Sequence, residues 1–124
     1  MIEIKRNDKK SVSGFDVLHS FDGWKTAFIS YAEQYGDLKV LKRHTKTDEA
    51  FLLIKGSAIL FFSEDGETAE AVKLEKEKIY IVKKNTWHHL KVSPDALIMV
   101  VENSDTSKEN TETKIINDEK AVKE

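Results

Sequence analysis

The feature that most constrains this chain is a succession of short apolar runs from Leu38 to Glu102, each closed by turn chemistry and none with a helical period. Leu38, Val40, Lys42 and His44 share one face of an extended segment, opposite Lys39, Leu41 and Arg43. Ala50 to Lys55 and Ser57 to Ser63 read as two strands, with Gly56 between them where a tight turn or bulge needs a permissive backbone. Asp65-Gly66 is a hairpin signal, and Thr68 to Leu74, Lys78 to Val82 and Thr86 to Val92 read as further strands. Ser93-Pro94-Asp95 makes a turn before Ala96 to Glu102, an apolar run suited to a fully buried strand. About eight short strands without an amphipathic helix predict an all-β sandwich or barrel.

The flanks are less regular. Ile2 and Ile4 alternate with Glu3 and Lys5, which predicts a short strand at the start. Phe15, Val17 and Leu18 form a strand or turn ahead of Asp22-Gly23, and Trp24 to Tyr31 reads as a strand. Beyond Asn103 the composition turns polar. The expected organisation is therefore N-terminal strands packing on the barrel over 1–37, a barrel core over 38–103, and a polar, partly mobile tail over 104–124. Ile115-Ile116 would give that tail an edge strand or a partner contact.

A length of 124 residues allows one domain. The 20 basic and 22 acidic residues are interspersed, so no basic stripe recommends nucleic acid or an anionic membrane as a partner. The absence of cysteine removes disulfides, thiolate metal sites and thiol catalysis, and fits a reducing compartment. Met1 to Arg6 lacks the apolar core of a signal peptide, and no apolar run approaches the roughly 20 residues that span a bilayer. A cytoplasmic protein is expected.

Chemistry concentrates in the histidines. His19 has no ligand-like neighbour. In Thr86 to Val92, His88 shares a face with Leu90 and Val92 and should look inward, whereas His89 should face solvent or a subunit contact. By the same argument Leu38 and Val40 place His44 inward, and Phe51 and Leu53 place Glu49 inward. A buried carboxylate needs a cation or hydrogen-bond partners, because burying it alone costs many kcal/mol. Two histidines and a glutamate are a sensible ligand set for zinc, iron, manganese or nickel. The same three side chains also suit a hydrogen-bonded polar plug in a barrel.

His44, Glu49 and Gly56, in His-x4-Glu-x6-Gly spacing, resemble the first motif of the small single-domain cupins. The second motif carries a Pro-x-Gly turn and then a histidine. Lys83, Asn85 and His88 stand in those places here, and Asn tolerates left-handed backbone better than most residues. The resemblance spans residues 38–103. It implies a double-stranded β-helix, or jelly-roll barrel, commonly a homodimer, with a pocket between its sheets. It also implies a divalent metal at His44, Glu49 and His88, with Lys42 and Phe51 in the pocket. One departure stands out: metal-binding cupins usually carry a further histidine two residues before His44, and that position is Lys42. The expected functions are a metal-dependent isomerase, lyase or dioxygenase acting on a small polar metabolite, a metal-free small-molecule binding module, or a homodimeric interaction protein. Trp24, Trp87 and the tail are the contacts expected of the last.

Overall fold

A computed structural model of the chain describes residues 1–8 and 10–116. Among the described residues ten strands, all paired antiparallel, form two five-stranded sheets. One sheet has the order β1 (Phe15–Phe21), β2 (Trp24–Ser30), β9 (Leu97–Asn103), β4 (Glu49–Lys55) and β7 (Ile79–Val82). The other has the order β10 (Thr111–Ile115), β3 (Val40–His44), β8 (Trp87–Val92), β5 (Ala58–Ser63) and β6 (Glu70–Lys73). The chain crosses repeatedly between the sheets, as a double-stranded β-helix requires. Among the described residues no helix is long and apolar enough to cross a membrane.

The inner faces meet as the alternation predicts. Ala27 and Ile29 of β2, Ile98 and Val100 of β9, and Phe51 and Leu53 of β4 pack against Ala58 and Leu60 of β5 and Leu90 and Val92 of β8. Each large aliphatic or aromatic side chain withdrawn from water contributes about 1.5–3 kcal/mol. At one end of the barrel these inward positions become polar: Lys25 on β2, Glu102 on β9, Glu49 on β4, and Lys42, His44 and His88 opposite them. The apolar plug thus ends where the chemistry begins.

Three expectations need correction. Ile2 and Ile4 form no strand and lie exposed, because no neighbouring edge pairs with them. His89 does face away from the core, but it is 7% exposed. Its Nε2 donates to the Gly36 carbonyl at 2.7 Å, and its ring packs on Phe61, so the connection between β2 and β3 covers it. Trp87 is likewise buried rather than a contact for a partner: the Arg43 guanidinium lies 4.5 Å over its ring, and Gly66 of the β5–β6 turn packs near its Nε1. The Ile115 segment does form an edge strand, since β10 pairs along β3 from Thr111↔His44 to Ile115↔Val40. Mobility expected of the last eight residues falls outside the described residues.

Backbone geometry explains two of the turns. Asn85 adopts φ +69°, the left-handed conformation that the missing glycine would have taken, and its N–H donates to the His44 carbonyl at 2.7 Å. Gly56 adopts φ +75°, and a Cβ there would stand 2.6 Å from Ala96 Cα and 2.9 Å from Ala96 N, both backbone atoms. Gly56→Ala should therefore combine left-handed strain with a clash and destabilise the fold by about 2–4 kcal/mol, read as a lower urea midpoint. Asn85→Gly should leave the midpoint within about 0.5 kcal/mol of the parent.

Candidate metal centre

Glu49 opens β4 with its carboxylate inside the barrel, 5% exposed. Its Oε1 lies 3.0 Å from His88 Nε2 and 3.2 Å from His44 Nε2. Three strands deliver these groups: β3 ends at His44, β4 begins at Glu49, and β8 carries His88 opposite Lys42, the one register pair joining β3 to β8. The three ligand atoms lie within 4.8 Å of one another. The imidazole rings of His44 and His88 meet edge to face at 5.3 Å.

The far nitrogens of both rings are tied down. His88 Nδ1 lies 3.0 Å from the Thr86 carbonyl, which can only accept, so Nδ1 carries a proton. His44 Nδ1 lies 2.9 Å from the Thr111 hydroxyl on β10. Both Nε2 atoms are thereby aimed at Glu49, the orientation that partners behind a metal-bound histidine usually enforce. Separations of 3.0 and 3.2 Å are close to the spacing of adjacent ligands around an ion with bonds of about 2.1 Å. The donor set fits a divalent ion on these grounds.

Charge is distributed unevenly among the buried groups. Burial opposes the Glu49 charge, yet hydrogen bonds from His44 and His88 hold its carboxyl far below the usual range. Burial also opposes an imidazolium at His88, but the Glu49 carboxylate outweighs it and raises that pKa. Glu102 behaves oppositely. Burial, a hydrogen bond with Glu49 and the Glu49 charge push its carboxyl up to about 8, so it keeps its proton at neutral pH and donates toward Glu49. Lys25 Nζ is 3.9 Å from Glu102 and donates instead to the Thr106 carbonyl at 3.1 Å, too weakly placed to ionise Glu102.

These groups open into a cavity of about 710 Å3 between the sheets. Phe51, Ile29 and Leu90 form its apolar wall, and Tyr35 closes one side. Burial, then the negative charges of Glu49, Glu102 and Asp16, raises the Tyr35 phenol, which stays protonated. Lys42 belongs to the inward face, yet its side chain is exposed at the cavity mouth and makes no ion pair among the described residues. Lys83, in the position of the motif proline, binds Asp48 at 2.9 Å, and Asp48 also accepts from the Lys84 N–H at 2.8 Å. That contact ties the turn before His88 to the residue before Glu49. His19 stands apart, beside Trp24 on β2.

Sequence reasoning brought together His44, Glu49, His88, Lys42 and Phe51, and the structure sets all five around one cavity. It gave no role to Glu102, Tyr35, Lys25 or Thr111. Glu102 had a readable signal: it continues the inward series Ile98, Val100, Glu102, a carboxyl on a core-facing row. Tyr35 and Thr111 had none, since the first lies in a short 3₁₀ turn and the second becomes a neighbour only through β10 pairing.

The sequence matches no protein-family model, and no curated protein matches it. Solved structures do. Pac13 of Streptomyces, described as a nucleoside dehydratase, is 11% identical over 90% of this chain and 93% of its own, with a TM-score of 0.61. A cupin-2 domain protein of Shewanella frigidimarina is 18% identical over 72% of this chain and 78% of its own, with a TM-score of 0.53. The Campylobacter jejuni WlaRB TDP-quinovose 3,4-ketoisomerase is 17% identical over 69% of this chain and 66% of its own, with a TM-score of 0.57. By topology and by these likenesses the chain has the fold of the small cupin-type proteins, a double-stranded β-helix with its cavity between the two sheets.

Proposed function

We propose that this chain is a divalent-metal-dependent enzyme that moves a proton on a small polar metabolite held inside the barrel. The observation that carries the reading is the convergence of His44 Nε2 and His88 Nε2 on Glu49 Oε1, with both far nitrogens engaged elsewhere. A bound ion at that point supplies Lewis acidity toward a carbonyl or hydroxyl oxygen of the substrate. The rest falls to side chains. Glu102 is protonated at neutral pH and poised near it, which suits a group that must give and retake a proton. Lys42 is free to reach an electronegative group of the substrate at the mouth. Phe51, Ile29 and Leu90 exclude water from the inner wall. The neighbours described as a dehydratase and a ketoisomerase support a lyase or isomerase over an oxygenase, since both reactions turn on proton transfer.

One observation favours a second, metal-free reading. Lys42 sits in register with His88, where an ammonium repels a divalent ion. Without the ion, Glu49 and His88 form a buried carboxylate–imidazolium pair, and the cavity binds a ligand through hydrogen bonds alone. Elemental analysis of untagged protein separates the two: about one ion per chain, lost in His44→Ala, supports the enzyme, and a metal-free parent that stays metal-free after dialysis against zinc rejects it.

Lys42→His removes the repulsion and adds a neutral nitrogen donor. It should bind zinc or nickel at least about tenfold more tightly than the parent, a change of about 1.4 kcal/mol, by titration calorimetry. Equal affinities would show that Lys42 turns away from the centre.

Glu102 makes a pH prediction for metal-free protein. Its folded pKa of about 8 lies above its ordinary 4.5, so the folded chain holds an extra proton between those values. Stability should accordingly fall as pH rises through that window. Glu102→Gln, neutral at every pH, should flatten melting temperature against pH between about 5 and 8. An unchanged slope would mean that Glu102 ionises freely.

A further inference from the structure

Four lysines face the cavity: Lys25 of β2, Lys39 just ahead of β3, Lys42 of β3, and Lys108 in the connection between β9 and β10. Two acids on the same wall are already engaged. Lys91, which is not part of the cavity, holds Asp37 at 2.9 Å, and His44 and His88 hold Glu49. Lys39, Lys42 and Lys108 are exposed and make no ion pair among the described residues. Glu33, on the turn after β2, is the one exposed acid near them without such a pair. The whole chain carries a formal charge of −2, so the excess of ammonium groups is local to this opening.

Lys25 is the informative member. Its side chain is 13% exposed, on the inward series of β2 that continues through Ala27 and Ile29. Its Nζ donates to the Thr106 carbonyl at 3.1 Å, and Glu102 Oε2 stands 3.9 Å away, beyond hydrogen-bond reach. An ammonium has three donors, so two of them lack an acceptor among the described residues. Withdrawing a charge from water is unfavourable unless a partner replaces its hydration. The open side of Lys25 is the cavity, where a bound acceptor would complete its surroundings. Lys42 approaches from the facing sheet, in register with His88, so cationic groups reach the polar end of the barrel from both walls.

We propose that the substrate is a small organic dianion and that Lys25 selects it, its ammonium donating to an anionic oxygen inside the barrel. This rests on reading the cavity as a substrate site, and it requires no metal there. Lys39, Lys42 and Lys108 draw the anion in, because charges of one sign around a cleft with low-dielectric walls focus the field and concentrate the opposite charge. A dianion fits better than a monoanion, since Lys25 accounts for one charge and the ammonium groups at the mouth outnumber the acid beside them. Phe51, Ile29 and Leu90 are left to cover the carbon skeleton. The cavity of about 710 Å3 lies within the range of small-molecule sites, about 300–1,000 Å3. Phosphate monoesters and dicarboxylates share this charge near neutral pH, and a lysine meets either as a point charge.

Titration calorimetry on the full chain, as purified and again after EDTA, tests this with inorganic phosphate, succinate and succinamide as probes. Phosphate or succinate should saturate one site at about 10 mM or below in both preparations, and the tighter of the two identifies the source of the charge. Succinamide, the neutral counterpart of succinate, should bind at least about tenfold more weakly. Lys25→Met keeps the length of the stem; it should weaken anion binding at least about tenfold and abolish the preference for succinate over succinamide. Lys42→Gln, at an exposed position, should weaken anion binding at least about threefold, and it decides the matter if Lys25→Met fails to fold. Lys73→Gln, an exposed lysine of β6 outside the cavity, should bind as the parent does. The proposal is overturned by no saturation with either anion, by equal binding of succinamide, by an unaltered Lys25→Met, or by an equal loss in Lys73→Gln. Loss of anion binding after EDTA also overturns it, because an ion rather than Lys25 would then hold the anion. Elemental analysis of the same samples reports on the metal separately, so a failure of the metal reading is distinguishable from a failure here.

Discussion

The organising constraint is the buried charge of Glu49. A carboxylate withdrawn from water is strongly unfavourable unless partners replace its hydration, and breaking a buried pair by removing one member costs about 3–5 kcal/mol. Two imidazoles on one oxygen and a protonated Glu102 beside it meet that requirement. Each partner then needs its own support. Thr111 steadies His44, so the last strand must pair with β3; Thr86 steadies His88, so the turn before β8 must close tightly. Asn85 closes it by docking on the His44 carbonyl. The barrel end is thus a linked set of polar contacts running from β10 through β3 and β4 to β8.

That linkage explains what the sequence could and could not reveal. A period of two assigns faces within a strand, so His44, Glu49 and His88 were legible as inward groups before any pairing was known. Glu49 and His88 lie on facing sheets, on β4 and β8, and motif spacing was the sign that they belong to one site. Tyr35, Thr111 and the Gly36 carbonyl were illegible for a common reason: each becomes important through a contact dozens of residues away in sequence. His89 illustrates the limit. Alternation correctly turned it away from the core, but alternation says nothing about what covers the far face. Ile2 and Ile4 illustrate the converse, since a perfect local pattern forms no strand without an edge to pair with.

The run from Ala96 to Glu102 raises the same issue for a whole sheet. Its composition is that of a strand buried on both faces, and so are those of β4 and β7 beside it. In the single chain only one face of each is covered. Period-two alternation therefore reads the inner face of these strands well and the outer face poorly.

Lys42 shows how one substitution divides two chemistries on the same scaffold. In register with His88, it is placed to approach the centre, and its exposure shows that it does not complete the cluster. As a histidine it would be a fourth protein ligand, which would tighten ion binding while leaving fewer open positions for substrate. As a lysine it contributes a positive charge that can meet a substrate group at the mouth. The same charge would oppose a divalent ion at His44, Glu49 and His88. His44, Glu49 and His88 would give an ion three protein ligands, a number more usual in catalytic than in structural sites. The departure from the full histidine set thus exchanges a ligand for an ion against a positive charge at the cavity mouth.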